Sequence, residues 1–599
     1  TLEEVVARNY LIGERPDAII NIVDATNLSR SLFFTTQLLE LGVPVVVALN
    51  KSDINEKKGN KIDEKTLSEK LGCPVIKTTS TTDTGLKEVI QTAADLEGAG
   101  QKAPYVQGDI NLHDKKEVEA ADRKRFEFVN AIVKQVENRK VLTKEKNVGD
   151  KIDAVLTNPV SGLIIFAAIM FLVFYISQST LGTWLADILV GWIETFQNWV
   201  GGLLENANPF LYALLVDGII GGVGAVVGFL PLVMVMYFLI ALLEDCGYMA
   251  RATVVLDPIF KRVGLSGKSV IPMIIGTGCG IPAIMACRTI RNERERRTTA
   301  MLATFMPCGA KLPVIALMGG IMTAYVTGDY VAAGFITPLM YFIGVVAVLV
   351  SAIILKKTKP FSGKPAPFVM ELPQYHIPQV KTVLLHVWER LKGFIIKAGT
   401  ILFLACVVMW FLGGFGFVDG SFGMVEDSAD SLMAMIGGVI APLFAPLGFG
   451  EWQPVAASIS GFTAKEAIVS TMGVLANVAG DTEDAVNVAA GVASWFPTGI
   501  AAFSFLMFNL LDSPCLAAIA TMAQQMQSRK WFWFAILFQN VFAYLVTLCV
   551  YQIGTLVTGG GFGVGTAVAF VVVAVMLFLL FRPDPYKDQK VYSKRSVNA

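Results

Sequence analysis

The distribution of hydrophobic residues divides this chain into a polar first quarter and an apolar remainder. Before Asn158 the apolar runs are short, whereas after it eight apolar segments are each long enough to cross a bilayer. We expect these membrane spans near residues 160–178, 211–243, 299–320, 331–355, 398–417, 495–522, 531–550 and 563–581. The pattern predicts a soluble region followed by a polytopic α-helical membrane region.

Within the polar region, apolar runs alternate with amphipathic ones. Residues 17–24, 43–49 and 74–77 have the Ile- and Val-rich pattern of buried strands, and residues 28–41, 63–71 and 86–94 have helical periodicity. This alternation is typical of an α/β fold with a parallel sheet. From about residue 102 to 151 the pattern becomes charged and amphipathic, which predicts either a small helical domain leading to the membrane or a solvated spacer.

Polar residues follow the second and third predicted strands, where doubly wound sheets bind ligands. Asn50-Lys51-Ser52-Asp53 resembles the guanine-reading motif of small GTPases, and Thr79-Ser80 resembles their second base-contacting loop. The Asp53 carboxylate can accept hydrogen bonds from both N1 and N2 of guanine. The resemblance implies that Asn50 braces the loop and that the Lys51 stem stacks on the base. An ordinary solvated loop is the alternative.

Two parts of a GTPase do not occur before Asp17: the phosphate-binding Gly-x-x-x-x-Gly-Lys-Ser/Thr loop and the downstream Asp that holds Mg²⁺. The run Gly264 to Ser269 mimics the end of such a loop, but Arg262 replaces the first glycine, so we reject it as a nucleotide site. We therefore expect a chain that begins partway through a G domain. As given, it should not hydrolyse GTP.

Composition indicates the class of protein, and the distribution of basic residues indicates the membrane topology. The 599 residues are 54% hydrophobic and 16% charged, with a mean hydropathy of +0.57, which excludes an ordinary soluble protein. Basic residues concentrate in residues 244–298, in residues 356–397, at Arg529-Lys530 and after Arg582, which therefore face the cytoplasm. Residues 179–210 and 323–330 lack Lys and Arg, and residues 418–494 hold only Lys465 against nine acids, so these face outward. Both termini should be cytoplasmic.

The cysteines and the N-terminus agree with that placement. The eight cysteines show no even, closely spaced framework, so we expect reduced thiols rather than a disulfide scaffold. Thr1-Leu2-Glu3-Glu4 opens no signal peptide, and the soluble region should stay in the cytoplasm.

Two moderately apolar pieces, residues 270–287 and 455–472, must enter and leave on one side to keep the charge pattern, and we interpret them as re-entrant hairpins. Short sequence matches relate the two regions. Pro258-Ile259-Phe260 resembles Pro442-Leu443-Phe444, Cys279 falls on Thr463 at the same offset of 184 residues, and Pro307-Cys308 recurs as Pro514-Cys515. Because the charges place the hairpins on opposite sides, we predict two inverted repeats with a site near the midplane.

Thiols and helix breakers cluster at these points. Cys279, Cys308 and Cys515 lie at the predicted breaks, and Pro307 and Pro514 free carbonyls in their helices. Thiols and carbonyls can pass a divalent first-row metal such as Fe²⁺ while binding it weakly enough to release it. The alternative is that the glycines allow close packing and the cysteines are small buried apolar residues.

Three acids complete the candidate metal ligands. We place Asp512 and Glu466 near the second half of the path. Glu244 ends the second span and is a candidate exit site, although it is equally suited to neutralise the basic loop that follows.

Several motifs together resemble the bacterial FeoB family of ferrous-iron transporters over nearly the whole chain. They are Asn50-Lys51-Ser52-Asp53, Asp150-Lys151-Ile152-Asp153, Gly278-Cys279-Gly280-Ile281-Pro282, Met306-Pro307-Cys308-Gly309-Ala310-Lys311-Leu312-Pro313 and Ser513-Pro514-Cys515. The resemblance implies Fe²⁺ uptake across the cytoplasmic (inner) membrane, with gate cysteines at Cys279, Cys308 and Cys515. It also implies GTP or GDP bound by the G domain, with Mg²⁺ and GTPase activity in a complete family member.

The predicted fold is therefore a polytopic α-helical membrane protein with two inverted gate-type repeats and re-entrant hairpins, preceded by a partial α/β P-loop-type G domain and a small helical domain. We place the partial G domain at residues 1–100, the helical domain at 101–157, the first gate repeat at 158–355, a cytoplasmic loop at 356–397, the second gate repeat at 398–522, and the last two spans with the tail at 523–599. Membrane lipid is an expected partner and nucleic acid is not. Small cytoplasmic proteins and a homo-oligomer are left open.

Two other functions remain to be distinguished. A carrier for an organic solute such as a nucleoside predicts aromatic and amide residues at the breaks instead of repeated Pro-Cys. A membrane-tethered GTPase switch predicts uninterrupted helices without thiols at proline breaks.

Overall fold

The computed structural model describes residues 10–11, 13, 16–57, 60–80, 82–96, 100–108, 115–138, 148–204, 209–290, 292–328, 330, 334–362, 375, 378–418, 421–425, 428–476, 485–583 and 585. The chain forms two compact units, Thr1–Glu145 and Lys146–Ala599. Nearly all of the predicted tail after Arg582 lies outside the described residues.

The first unit is built on a parallel three-stranded sheet. Its elements are β1 (Ile19–Asp24), α1 (Leu28–Glu40), β2 (Val45–Asn50), α2 (Ser52–Lys57), β3 (Lys61–Ile62), α3 (Glu64–Leu71), β4 (Val75–Lys77), α4 (Leu86–Asp95), α5 (Lys115–Val136) and β5 (Glu137–Asn138). The sheet order is β1-β2-β4, with Ile22 opposite Ala48 and Val47 opposite Val75. The predicted strands and their parallel arrangement are confirmed. Strand β2 is buried on both faces, as expected of a central parallel strand.

The amphipathic stretch after residue 101 contributes to that same unit. Helix α5 contacts α1 and α3, and Val129, Ile132 and Val133 are buried in the cluster that includes Leu28 and Leu67. Strand β5 directly follows the helix and pairs antiparallel with β3. The predicted helix is therefore present, and its apolar stripe packs into the core of the same compact unit as the sheet, unlike a solvated spacer.

The second unit is almost entirely helical. Its helices are α6 (Val148–Leu156), α7 (Pro159–Tyr175), α8 (Leu181–Leu203), α9 (Pro209–Tyr212), α10 (Gly221–Asp245), α11 (Tyr248–Val263), α12 (Val270–Gly276), α13 (Gly280–Ala286), α14 (Glu293–Leu302), α15 (Leu312–Thr327), α16 (Ile336–Lys356), α17 (Val380–Phe394), α18 (Thr400–Gly414), α19 (Leu432–Phe444), α20 (Trp452–Thr463), α21 (Ala467–Leu475), α22 (Ala485–Val492), α23 (Gly499–Leu511), α24 (Leu516–Met526), α25 (Arg529–Val557) and α26 (Val564–Phe581). A hairpin of β6 (Phe415–Val418) and β7 (Ser421–Met424) follows α18.

Among the described residues, six helices are long and apolar enough to cross a membrane, or up to eight if each bent pair counts as one span. The bent pairs are Leu230–Asp245 with Tyr248–Val263, at 83°, and Leu432–Leu447 with Trp452–Thr463, at 103°. The predicted number of eight spans is therefore the upper limit of what length and composition allow.

Residues 179–210 were expected to form an outward loop, and the structure differs. Helix α8 occupies Leu181–Leu203, follows α7 through a π-helical turn at Ile176–Thr180, and contacts α10. The absence of Lys and Arg predicts a side of the membrane but says nothing about helicity. A helix was indicated instead by apolar residues that recur at helical spacing: Trp184, Leu185, Ile188, Leu189, Ile193, Phe196 and Val200.

Two of the predicted spans are interrupted at their Pro-Cys motifs. Helix α14 is followed by a 3₁₀ turn, extended residues 306–308 and a second 3₁₀ turn before α15 begins. Helix α23 ends at Leu511, and α24 begins at Leu516. Proline lacks an N–H donor and drives the preceding residue away from helical angles, as Met306 shows with ψ 133°.

The two predicted hairpins have matching backbones. Each consists of two short contacting helices, α12 with α13 and α20 with α21. Cys279, between α12 and α13, has φ −153° and ψ 135°. Ala464, between α20 and α21, has φ −150° and ψ 135°. The preceding helical segments end on Gly264 (φ +89°) and Gly448 (φ +92°), a left-handed conformation that favours glycine. These local geometries repeat in the same order along the two halves.

Candidate metal-transport site and nucleotide loop

The two loops predicted to read a guanine base are joined by hydrogen bonds. Asn50 is the last residue of β2, and its Oδ1 accepts hydrogen bonds from the Ser80 backbone N–H at 3.2 Å and the Ser80 hydroxyl at 2.9 Å. Thr79 forms a bridge with Thr84 across the same turn. Asn50 therefore holds the loops after β2 and β4 together.

Lys51 and Asp53 take different positions in the nucleotide loop. Lys51 adopts φ +62°, and its Nζ lies 2.7 Å from Oδ2 of Asp24 at the end of β1. Partial burial raises the pKa of Asp24, but hydrogen bonds from Lys51 and Thr26 outweigh it and hold that pKa below its usual value. Asp53 lies in the first turn of α2. Lys51 is thus anchored to Asp24, beside the loop that carries Asp53.

The three candidate gate cysteines line one cavity in the second unit. Cys279, Cys308 and Cys515 share this cavity of about 60 Å³ with Lys465 and Glu466. That volume accommodates a few water molecules. Cys279 directly precedes α13, Cys308 precedes the 3₁₀ turn Gly309–Lys311, and Cys515 precedes α24, so every thiol lies where a helix is interrupted.

Helix α25 braces both Pro-Cys breaks. Gln539 Nε2 donates to the Met301 carbonyl and to Thr304 Oγ1, each at 2.8 Å, on the side of the first break. Asn540 Nδ2 donates to Ser513 Oγ at 2.7 Å in the second break. These bonds satisfy polar groups that the interruptions leave outside a regular helix.

The hairpin carrying Cys279 also contacts the first Pro-Cys break. The Gly309 N–H donates to the Gly278 carbonyl at 3.0 Å. A Cβ at Gly278 would lie 2.5 Å from Cε1 of Phe174 and 2.6 Å from Sδ of Met236, so only glycine fits there without a shift of these neighbours. This close approach fixes the position of Cys279 on the cavity wall.

Two buried lysines surround the site. Lys311 Nζ donates to the Leu510 carbonyl at 2.7 Å and to the Thr304 carbonyl at 3.2 Å. Lys465 Nζ lies 2.6 and 2.7 Å from the two carboxylate oxygens of Asp512. The exposed fractions of Lys311, Lys465 and Asp512 are 4%, 2% and 0%. Asp512 was expected to be a metal ligand, and in this conformation its carboxylate is engaged by an ammonium.

The other two candidate acids are separated. Glu466 lines the cysteine cavity. Glu244, at the C-terminal end of α10, is exposed, and its Oε2 lies 2.7 Å from Nη2 of Arg390 on α17. The structure thus places Glu244 in a surface ion pair with α17 and outside the lining of the cysteine cavity, and its role as an exit site or a neutralising group stays a prediction.

The possible metal ligands that line the cavity do not form a single metal site. Within the part of the chain that the structure describes, no group of three or more His, Cys, Asp or Glu side chains is close enough to hold one metal ion. The sequence predicted Cys279, Cys308, Cys515 and Glu466 as neighbours, but it assigned no role to Lys311 or Lys465. The available signal was a lysine within an apolar segment, which is unfavourable unless it is paired or functional.

Comparisons with known proteins relate most of the chain to one family. The family model for ferrous iron transport protein B matches residues 1–93, and the model for its C terminus matches residues 337–390. A Gate model, described as nucleoside recognition, matches residues 226–322 and 395–529. An Fe(2+) transporter FeoB of Staphylococcus aureus (strain MSSA476) is 35% identical over 621 residues, covering 92% of this chain and 90% of that one. The chain belongs to the FeoB family.

Other FeoB relatives agree. The Fe(2+) transporter FeoB of Campylobacter jejuni is 35% identical, covering 91% of this chain and 87% of the relative, and that of Salmonella typhimurium is 31% identical, covering 97% and 87%. The two Gate matches lie in the two halves that carry the Pro-Cys motifs. Membership of the FeoB family confirms the predicted combination of a G domain and a membrane region with gate repeats. Fe²⁺ transport is the function that it supports, and neither alternative is favoured.

Solved FeoB structures match the N-terminal part of the chain. A GDP-bound NFeoB mutant of S. thermophilus is 28% identical with a TM-score of 0.19, covering 22% of this chain and 74% of that one. The cytosolic domain of the T. maritima FeoB iron transporter in its GMPPNP form is 20% identical with a TM-score of 0.22, covering 23% and 74%. At these TM-scores, the family assignment rests on the sequence relatives.

Proposed function

We propose that this chain carries Fe²⁺ across the bacterial cytoplasmic membrane through the cavity lined by Cys279, Cys308 and Cys515, under the control of a guanine nucleotide bound by its G domain. One observation carries the proposal. Thiols from three separate breaks, spread over both gate repeats, line a single cavity.

The chemistry of that cavity suits a borderline divalent cation. Thiols favour first-row metals over Mg²⁺ or Ca²⁺, and the interrupted helices add backbone carbonyls that can replace part of a hydration shell. Glu466 adds a carboxylate to the same wall. Because the donors do not converge into a cage, the ion is bound weakly enough to move on.

Fe²⁺ uptake by the complete protein in anaerobic proteoliposomes tests this route. Cys308→Ser and Cys515→Ser should each lower the initial rate by about tenfold, equivalent to about 1.4 kcal/mol. Cys549→Ser is the matched control, because Cys549 lies on α25 and its thiol contacts the Ala569 carbonyl instead of the cavity. Rates that stay at the wild-type level in both Cys308→Ser and Cys515→Ser would remove the thiols from the route.

The nucleotide part of the proposal rests on Asp53 and the braced loops. The Asn50–Ser80 hydrogen bonds hold the predicted base-contacting loops side by side, and the Asp53 carboxylate can accept from two donors that guanine has and adenine lacks. No described residue is assigned to Mg²⁺.

Nucleotide selectivity tests the role of Asp53. In the complete protein, Asp53→Asn should shift preference from GTP toward xanthosine triphosphate, because an amide can donate where the carboxylate accepted. Asp95→Asn, at the C-terminal end of α4, is the control and should leave selectivity unchanged. The same selectivity in Asp53→Asn and wild type would refute base reading by Asp53.

The chain is a multi-pass membrane protein, and we place both termini in the cytoplasm. The distribution of Lys and Arg supports this orientation. Exposed apolar side chains such as Val160, Trp192 and Phe578 offer lipid-facing surface. In intact cells, a membrane-impermeant maleimide should label Gly561→Cys, in the turn before α26, and should label Lys359→Cys only after lysis. The opposite pattern would invert the orientation.

A further inference from the structure

A buried ion pair joins two breaks of the second gate repeat. Lys465 lies between α20 and α21, and Asp512 lies directly after α23. The ammonium contacts both carboxylate oxygens, at 2.6 and 2.7 Å, and both side chains are almost completely buried. Removing a carboxylate and an ammonium from water is costly, and only close, well-formed pairing compensates for it.

Lys465 lines both the cysteine cavity and a smaller one, whereas Asp512 lines neither. Lys465 lines the cavity that holds the three thiols, and together with Lys311 it lines a second cavity of about 10 Å³. Asp512 begins the extended segment that ends at Cys515. Lys465 therefore borders the proposed path of the ion, and its ammonium holds the Asp512 carboxylate.

Charge within this cluster opposes entry of a cation. Lys311, Lys465 and Asp512 formally carry two positive charges and one negative charge at neutral pH, and Lys311 Nζ donates to the Leu510 and Thr304 carbonyls. Like charges repel strongly where water is largely excluded. A dication reaching the thiols thus meets two lysines and the Glu466 carboxylate on the cavity wall, while the Asp512 carboxylate is already paired with Lys465.

We infer that Lys465 is a tethered cation that occupies Asp512 until the transported ion displaces it, so that this ion pair sets how tightly the path binds a dication. The inference rests on the proposed function and adds an exchange step to it. When the dication binds the Asp512 carboxylate, the Lys465 ammonium leaves. When Lys465 returns, it expels the ion. Lys465 is a positioning residue in this scheme and Asp512 is a ligand.

Protection of Cys515 measures the exchange. The complete protein in detergent, kept anaerobic with ascorbate, is titrated with Fe²⁺ and treated with maleimide, and labelling of Cys515 is quantified by peptide mass spectrometry. In Lys465→Met, Asp512 has no competing ammonium. The Fe²⁺ concentration for half-protection, and the KM for uptake, should fall by about tenfold, equivalent to about 1.4 kcal/mol. The maximal rate should also fall, because release is slower.

Two further variants keep the test decisive. Lys465→Arg offers Asp512 a guanidinium that pairs with carboxylates through two parallel bonds, so half-protection should need at least about threefold more Fe²⁺. The double variant Lys465→Met with Asp512→Asn removes both charges and should lose the gain of Lys465→Met. A purely structural ion pair would lower the melting temperature in Lys465→Met without lowering the half-protection concentration.

The outcomes separate this inference from the proposed route. If Fe²⁺ fails to protect Cys515 in the wild-type protein, the proposed route fails and the exchange step fails with it. If Fe²⁺ protects Cys515 in wild type but folded Lys465→Met shows an unchanged or higher half-protection concentration, the exchange step alone is wrong. If Lys465→Met does not fold, an unchanged value in Lys465→Arg overturns the inference, as does a gain that persists in the double variant.

Discussion

In the first gate repeat a backbone hydrogen bond from Gly309 to Gly278 joins the hairpin to the Pro-Cys break, whereas in the second repeat a buried ion pair between Lys465 and Asp512 joins them. Residues 270–287 of the first hairpin include no charged side chain, while the second hairpin contains Lys465 and Glu466. Aligning the two Pro-Cys motifs places Phe305 opposite Asp512. Phe305 is completely buried and stacks on Phe542 with ring centroids 5.3 Å apart.

The two repeats have matching hairpin backbones but different side chains at their breaks, so the two breaks can respond differently to a metal ion. Neither the Gly309–Gly278 hydrogen bond nor the apolar side chain of Phe305 presents a carboxylate that a metal ion can bind, so the first break lacks an exchangeable ion pair. A carboxylate held by an ammonium has a partner that another cation can replace, so the second break is the adjustable one. Lys311 connects the two breaks, because it follows the first Pro-Cys motif and donates to Leu510 at the end of α23.

The largest effect should come from removing one member of the ion pair. Asp512→Asn leaves the Lys465 ammonium buried without a carboxylate, and breaking a buried pair in this way costs about 3–5 kcal/mol. The melting temperature in detergent should fall markedly. It should recover in the double variant with Lys465→Met, since that change removes the uncompensated charge. A melting temperature equal to wild type in Asp512→Asn would contradict the role given to the pair.

A smaller loss of stability is expected from adding a side chain at Gly278 in the first hairpin. Gly278→Ala introduces a Cβ against Phe174 and Met236, and overpacking of this kind costs about 1–3 kcal/mol. Gly438→Ala in α19 is the matched control, since a Cβ there meets nothing within 4 Å and alanine favours a helix. Differential scanning fluorimetry of both variants measures the difference. Equal destabilisation by the two changes would show that the Gly278 contact is not restrictive.

The smallest effect should follow Phe305→Leu. The substitution keeps the first break apolar and loses mainly the aromatic pair with Phe542, worth about 0.5–1.5 kcal/mol. Because neither Phe305 nor its replacement carries a charge, the Fe²⁺ concentration that half-protects Cys515 should stay at the wild-type value. A large shift in that concentration would mean that the apolar break also controls ion binding, and the contrast between the repeats would then be lost.

Local patterns in the sequence predicted much of this fold. Ile- and Val-rich runs predicted β1, β2 and β4, and the prolines at 307 and 514 predicted the interruptions, because these features act through neighbouring residues. Helix α8 was missed because the absence of Lys and Arg in residues 179–210 was used only to assign a side of the membrane. The pairing of Lys465 with Asp512 was missed for a different reason. It joins residues far apart in sequence, and nothing local to either residue specifies its partner.

The hydrogen bonds of α25 have a mechanical consequence. Gln539 and Asn540 are consecutive residues on one continuous helix, yet one holds the first Pro-Cys break and the other holds the second. Sliding or rotating that helix would displace both attachment points at once. The two halves of the transporter therefore share a common rigid support, and rearrangements at one half should be felt at the other without passing through the cavity between them.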